Sequence, residues 1–137
     1  MAMQVQLKRT GNLKFEATGA AGVSMVIDGP TSSGGTEQGM RPMESVLVAL
    51  ASCSAMDVVG ILKKQRQDLK DPDITVHGER ADAIPSVFTA IRVEFEASGT
   101  VELEKLQKAV ELSIEKYCSV AAMLRPTVSI QYECRVR

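Results

Sequence analysis

The chain has 137 residues, of which 45% are hydrophobic and 24% charged, and its 16 basic and 17 acidic residues give a formal charge of −1 at pH 7. A chain of this length buries roughly 65–70% of the surface that its unfolded form exposes, so it can form a core without a metal or a disulfide. The balanced charge and an aromatic content of 4% argue against a nucleic-acid partner, which would need a basic face or stacking side chains. We therefore expect a single domain over residues 1–137.

The same sequence indicates where the protein works. It has no stretch of about 18 uncharged apolar residues, and Met1 to Thr10 lack the apolar core of a signal peptide. We expect a cytoplasmic protein without a membrane partner. The three cysteines, Cys53, Cys118 and Cys134, are an odd number, which favours reduced thiols over a disulfide scaffold. They form no CxxC pair and His77 is the one histidine, so no metal site is expected.

In the first third of the chain, three segments alternate apolar and polar residues. Their apolar positions are Val5 and Leu7, then Leu13, Phe15 and Ala17, then Val23, Met25 and Ile27. Glycine-containing turns separate the segments, so the pattern predicts an antiparallel meander with one buried face per strand. From Gly29 to Gly39 the chain has four glycines and no large apolar residue, which indicates a loop.

A long helix is predicted from Pro42 to about Gln67. Pro42 suits the first helical turn, and Glu44 suits the positive end of the helix dipole. The run from Val46 to Ala51 is apolar on every side, which predicts a helix buried all round in the core. Because one small domain offers little surface to cover such a helix, the pattern also indicates a second subunit.

The rest of the chain predicts further elements: a charged turn at 68–73, strands at 74–80 and 91–97, an amphipathic helix at 101–117, a short helical turn at 121–124 and a strand at 128–136. Cys134 lies on the apolar side of that last strand, where a thiol is a small hydrophobe with a raised pKa. Cys53 lies within the long helix, and Cys118 lies where the second helix ends. The pattern leaves open whether these two thiols are structural or reactive.

The residues from Arg41 to Val58 and from Lys116 to Leu124 together resemble the OsmC/Ohr family of osmotically induced and organic-hydroperoxide-resistance proteins. The family pattern is a proline, a glutamate shortly after it, an apolar run and a cysteine near the middle of a long helix. A second cysteine follows the second helix, as Cys118 does here 65 residues after Cys53. The family's proline after that cysteine is replaced by Ser119.

The resemblance implies an α+β fold in which curved antiparallel sheets surround two main helices, assembled as an intertwined homodimer with two sites at the subunit interface. It also implies a stress or detoxification role, the thiol-dependent reduction of small apolar hydroperoxides by an external dithiol, with no bound cofactor. By position, Cys53 corresponds to the attacking thiol and Cys118 to the resolving thiol. Glu44 corresponds to the family's carboxylate at the helix start.

Helix geometry separates Glu44 from Cys53 within one chain. They are nine positions apart, a separation that turns through about 900° and rises about 13 Å, so the two side chains project to opposite sides of the helix. Glu44 therefore serves either a thiol site in the partner subunit or the helix dipole. Asp57, one turn after Cys53, opposes a thiolate when ionised, so it either points elsewhere or pairs with a cation.

The family's usual arginine is missing from this sequence. Its place in the meander corresponds to about Ala21, and residues 29–40 contain no basic residue. Arg41 is the one arginine close to the motif, and it is either a functional replacement or an exposed residue at the helix entry. The sequence leaves open whether the missing arginine is replaced by Arg41, by Arg125 or by no residue.

Two functions remain open from the sequence. The first is a dithiol peroxidase that uses Cys53 and Cys118. The second is a dimer that binds an apolar ligand in its interface pocket without turnover. Adaptable thioether side chains would suit such a pocket, and they are available at Met40, Met43, Met56 and Met123.

Overall fold

The computed structural model describes residues 1–137, which form two compact units, residues 1–46 and residues 47–137. Each unit contains one three-stranded sheet, and the helices follow the first sheet in the chain. The α+β class expected from the resemblance is confirmed.

The sheet of the first unit is the predicted antiparallel meander of β1 (Gln6–Arg9), β2 (Phe15–Thr18) and β3 (Ser24–Ile27). Its register places Leu7 beside Ala17 and Ala17 beside Met25. The predicted burial of this face is wrong for the single chain, because Leu7 is 59% exposed and Met25 is 45% exposed. Burying a sheet face needs a second layer, and residues 1–46 supply only a loop and the first turn of a helix.

The predicted loop after β3 is organised around the carboxylate of Asp28, which is 1% exposed. The Thr36 hydroxyl donates to this carboxylate at 2.5 Å, and the backbone N–H groups of Gly29 and Gln38 donate at 2.7 and 3.2 Å. Chiefly because of the Thr36 bond, the pKa of Asp28 is lowered to about 2. The loop is therefore folded around a charged group.

Helix α1 (Pro42–Lys64) begins at the predicted residue and ends within three residues of the predicted end. Its predicted burial on every side is wrong for the single chain, because the buried residues form one stripe with a spacing of four: Leu50, Ser54, Val58 and Leu62. Other apolar side chains of α1 remain exposed, with Met56 at 74% and Val59 at 47%. The second unit covers one side of the helix only. By length and composition alone α1 could also cross a bilayer, a property shared by core helices of soluble proteins.

The second sheet has the order β4 (Asp68–Arg80), β5 (Phe88–Thr100) and β6 (Ser129–Val136). Strand β4 is longer than predicted, because the charged segment at 68–73 belongs to it and is not a turn. The register of β4 and β5 shifts between Lys70 and Asp73. This irregularity contains Pro72, which has no N–H to donate to a regular ladder.

Strands β5 and β6 pair in parallel, unlike every other strand pair of the two sheets. The connection between them is a helical crossover made of α2 (Leu103–Leu112), a π-helical turn (Ser113–Tyr117) and α3 (Ser119–Leu124). Parallel neighbours require such a crossover, whereas a hairpin gives antiparallel ones. The expectation of antiparallel sheets is corrected for this pair of strands.

The core of the second unit lies on one face of this sheet. Strand β5 contributes four side chains that are at most 2% exposed, Ile91, Val93, Phe95 and Ala97. Their neighbours on β6 include Cys134, which is half-buried beside Phe95. Burial raises the pKa of the Cys134 thiol to about 11. Cys134 is therefore on the apolar side of its strand, as the alternation predicts.

A candidate dithiol site

The structure brings two of the predicted site residues together. Cys53 lies in the middle of α1, and Cys118 lies between the π-helical turn and α3. Their side chains interact, and the interaction with Cys53 adds to the burial that raises the pKa of Cys118. Both are free thiols. Two elements that are distant in the chain thus bring the two thiols into interaction.

The two thiols differ in their surroundings. Cys118 is 2% exposed, and burial is the main reason that its pKa is raised to about 11. The backbone N–H of Ala121 donates to its Sγ at 3.4 Å and acts in the opposite direction. Cys53 is only half-buried. At neutral pH Cys118 is therefore a protonated, enclosed thiol, and Cys53 is the more accessible of the pair.

The position of Cys118 depends on the π-helical turn. Its backbone N–H donates to the carbonyl of Ser113 at 2.7 Å, five residues back. At Cys118 the backbone becomes extended, with φ −70° and ψ 110°, which ends the turn and lets the residue cap α3. Such π-turns are rare and occur often at functional sites.

Asp57 connects this turn to α1. Its carboxylate accepts a hydrogen bond from the Ser113 hydroxyl at 2.8 Å. The same hydroxyl has a longer contact of 3.4 Å with the carbonyl of Ser54. Of the two alternatives expected for Asp57, pairing with a cation is wrong, because its carboxylate is directed to a neutral hydroxyl on the turn that precedes Cys118.

Ser113 itself was missed by the sequence reasoning. The residue is 0% exposed, although it is polar. A signal was present, since Ser113 lies between Val110 and Ile114 on the apolar stripe of the second helix. A polar residue in such a stripe needs a hydrogen-bonding partner.

The other two predicted site residues, Arg41 and Glu44, lie together at the start of α1. The Arg41 backbone N–H donates to the Glu44 carboxylate at 2.9 Å. The Arg41 guanidinium pairs with the carboxylate of Glu37 at 2.7 Å. Glu44 thus accepts a hydrogen bond from an N–H group at the start of the helix, and its negative charge lies at the positive end of the helix dipole. A role of either residue at a thiol site stays a prediction.

An open groove of about 690 Å³ lies beside Asp57. Apolar side chains from α1 and from the end of the second helical region line it, together with charged and amide groups: Met56, Gly60, Ile61, Lys64, Gln65, Leu112 and Tyr117. No group of three or more His, Cys, Asp or Glu side chains is placed to hold a metal ion.

Comparison with known proteins identifies the family of the chain. A family model described as OsmC-like protein matches residues 35–133, a range that contains Cys53 and Cys118. The chain belongs to the OsmC-like family. The resemblance based on the two cysteine segments is therefore confirmed.

This OsmC-like protein is 40% identical over 135 residues to Protein YhfA of Escherichia coli (strain K12), and the match covers 98% of both chains. The crystal structure of a hypothetical protein from Aquifex aeolicus VF5 is 35% identical, with a TM-score of 0.88 and coverage of 100% of this chain and 97% of that one. An organic hydroperoxide resistance protein OsmC from Legionella pneumophila is 14% identical, with a TM-score of 0.74 and coverage of 99% and 98%. At 14% identity, the similarity to the Legionella pneumophila protein shows a shared fold only.

Proposed function

We propose that this OsmC-like protein is a thiol-dependent peroxidase that reduces small organic hydroperoxides through Cys53 and Cys118. The observation that carries the proposal is the pairing of a half-buried thiol with an enclosed, protonated one. The fold is shared with a protein named for organic hydroperoxide resistance, which supports the same chemistry.

In the proposed reaction, the Cys53 thiolate attacks the O–O bond of the hydroperoxide. One oxygen joins the sulfur as a sulfenic acid, and the other leaves as an alcohol after it takes up a proton. The Cys118 thiol then condenses with the sulfenic acid, which forms a disulfide and releases water. An external dithiol restores both thiols and is itself oxidised to a disulfide. The raised pKa of Cys118 supports this order, because a protonated thiol does not compete for the peroxide.

The proposed working unit is a cytoplasmic homodimer without a bound cofactor. Apolar surface that one chain leaves uncovered supports the dimer, for example at Met56 and Val59 on α1 and at Leu7 in the first sheet. A second copy of the chain would bury such surface. Since Glu44 and Cys53 project to opposite sides of one helix, we place the Glu44 and Arg41 roles at the thiol pair of the partner subunit.

The test is a turnover assay with purified protein, reduced dithiothreitol and cumene hydroperoxide. The wild-type protein should oxidise the dithiol well above the uncatalysed rate, and Cys53→Ser should abolish this excess. Cys134→Ser is the matched control, because it removes a thiol outside the pair and should retain activity. Turnover in the wild type that does not exceed that of Cys53→Ser would rule out the peroxidase.

The groove beside Asp57 favours a second candidate, the binding of an apolar ligand without turnover. Its lining includes Met56 and Ile61 on α1 and Tyr117 at the end of the π-helical turn. Titration with the fluorescent apolar probe 1-anilinonaphthalene-8-sulfonate tests this candidate. Binding should be lost in Met56→Glu and retained in Cys53→Ser, whereas equal binding by Met56→Glu and the wild type would exclude the groove.

A further inference from the structure

Three contacts and one turn of α1 form a closed ring that includes the two thiols. Cys53 and Asp57 lie four residues apart on α1, which is about one helical turn. Asp57 accepts from the Ser113 hydroxyl, and the Ser113 carbonyl accepts from the Cys118 N–H. The Cys118 side chain returns to Cys53. One residue, Ser113, thus joins the helix of one thiol to the backbone of the other.

The π-helical turn is the segment of this ring that needs external support. In a continuing α-helix the Cys118 N–H would bond to the carbonyl of Ile114, four residues back. The observed bond to Ser113 lengthens the turn by one residue, and such turns are rare because the α-helical alternative is normally favoured. Contacts outside the turn must therefore favour the π form.

The Ser113 hydroxyl supplies such a contact. It is fully buried, and its single O–H is directed to α1: it donates to the Asp57 carboxylate at 2.8 Å, and the Ser54 carbonyl is the more distant acceptor at 3.4 Å. If the turn changed to the α form, this fully buried hydroxyl would shift and lose its short bond to the Asp57 carboxylate. A buried polar group strongly disfavours such a loss.

We propose that Asp57 and Ser113 are positioning residues that hold the π-helical turn in the form that brings Cys118 to Cys53. This inference rests on the Cys53 and Cys118 pair of the proposed function. The role requires a hydrogen-bond acceptor at position 57 and a hydroxyl at position 113, but no negative charge. Asp57→Asn and Ser113→Thr therefore keep the hydrogen bond between the two positions, and Asp57→Ala and Ser113→Ala remove it.

The test measures the equilibrium constant for formation of the Cys53–Cys118 disulfide in a glutathione redox buffer, in the full chain with Cys134→Ser as background. Ser113→Ala and Asp57→Ala should each lower this constant about tenfold, near the upper end of what one hydrogen bond contributes. The double alanine variant should lose little more than either single one, because both changes break one contact. Asp57→Asn and Ser113→Thr should restore the constant to within about twofold of the background.

The matched controls lie away from the thiols. Ser98→Ala removes a side-chain hydrogen bond to the Lys70 carbonyl on the second sheet, and Asp82→Ala removes an exposed carboxylate. Losses in Ser113→Ala and Asp57→Ala no larger than in these controls would overturn the inference and leave the thiol pair intact.

Two other outcomes are also decisive. A background protein that forms no Cys53–Cys118 disulfide would overturn both the pair and the inference. Should the alanine variants fail to fold, Asp57→Asn and Ser113→Thr still decide, because a tenfold loss in either would overturn a role based on hydrogen bonding alone. Circular dichroism at the assay temperature shows which variants are folded.

Discussion

The backbone N–H of Cys118 donates to the carbonyl of Ser113 at 2.7 Å, five residues back along the chain. One extra residue in this turn sets where the second thiol lies, because a helical residue advances by about 100° around the axis. The turn ends at Cys118, whose side chain then caps α3. A local change in helical register, tied to α1 by Asp57, thus produces the contact between two distant cysteines.

The proposed chemistry predicts a trapped intermediate when the second thiol is removed. In Cys118→Ser, the sulfenic acid formed on Cys53 has no thiol with which to condense, so it should persist long enough to react with dimedone. Mass spectrometry after cumene hydroperoxide treatment should find one dimedone adduct, on Cys53. The wild type should instead lose two thiols per chain and keep Cys134 free. The absence of an adduct in Cys118→Ser would contradict attack by Cys53.

The burial of Cys118 predicts a loss of stability at alkaline pH. Its pKa is raised from 9.0 to about 11 in the folded chain, so between these values the unfolded state has released the proton and the folded state has not. The free energy of unfolding should therefore fall as the pH rises through this window. Urea unfolding from pH 8 to 10.5 measures the fall.

Cys134 has a similar shift and must be removed first. In a Cys134→Ser background, replacing Cys118 by alanine should make the free energy of unfolding depend less on pH above 9.0, which is the ordinary pKa of a thiol. Equal slopes with and without Cys118 would contradict the assigned burial effect.

The site and the fold differ in how far the sequence predicts them. Alternation and helical spacing predict the order of the elements, because they follow from which residues must be buried. They carry no strand direction, so the parallel pairing of β5 and β6 does not follow from them. A π-turn differs from an α-turn by one residue, so the spacing of residues 101–117 fits both. The pairing of Cys53 with Cys118 came from the family resemblance, not from any pattern of burial.

The burial of α1 shows a second reason why a prediction from the sequence is wrong. Its apolar run predicts that every side of the helix is buried, but one chain buries only a stripe that includes Leu50 and Val58. Hydrophobicity reports the surface that must be covered in the working assembly, and it does not say which chain covers it. Asp28 is a third case, because the loop pattern does not show which backbone N–H groups converge on its carboxylate.

The carboxylate of Asp28 predicts a loss of loop structure in acid. Its pKa is lowered from 3.8 to about 2, so the ionised carboxylate stabilises the folded loop above pH 3.8, and this contribution is lost as the pH falls through about 2. Asp28→Asn should remove this acid dependence and loosen the loop at neutral pH, because an amide offers one acceptor oxygen in place of two. Amide hydrogen exchange should then be faster at Thr36 and Gln38. Asp82→Asn, an exposed change elsewhere, is the control; equal exchange in both variants would contradict the role of Asp28.

A charge placed on the uncovered side of α1 is expected to prevent formation of the proposed dimer. Val59 is 47% exposed in the single chain, and its neighbour Val58 in the buried stripe is 1% exposed. In a dimer that covers α1, Val59→Glu would bury a carboxylate without a partner, which is strongly unfavourable. The variant should therefore elute as a monomer while retaining its secondary structure, and light scattering coupled to size-exclusion chromatography measures the mass. Thr89→Glu adds the same charge at an exposed position of β5 and should leave the dimer unchanged. A wild-type mass equal to one chain, or a Val59→Glu dimer as stable as that of Thr89→Glu, would contradict assembly through this side of the helix.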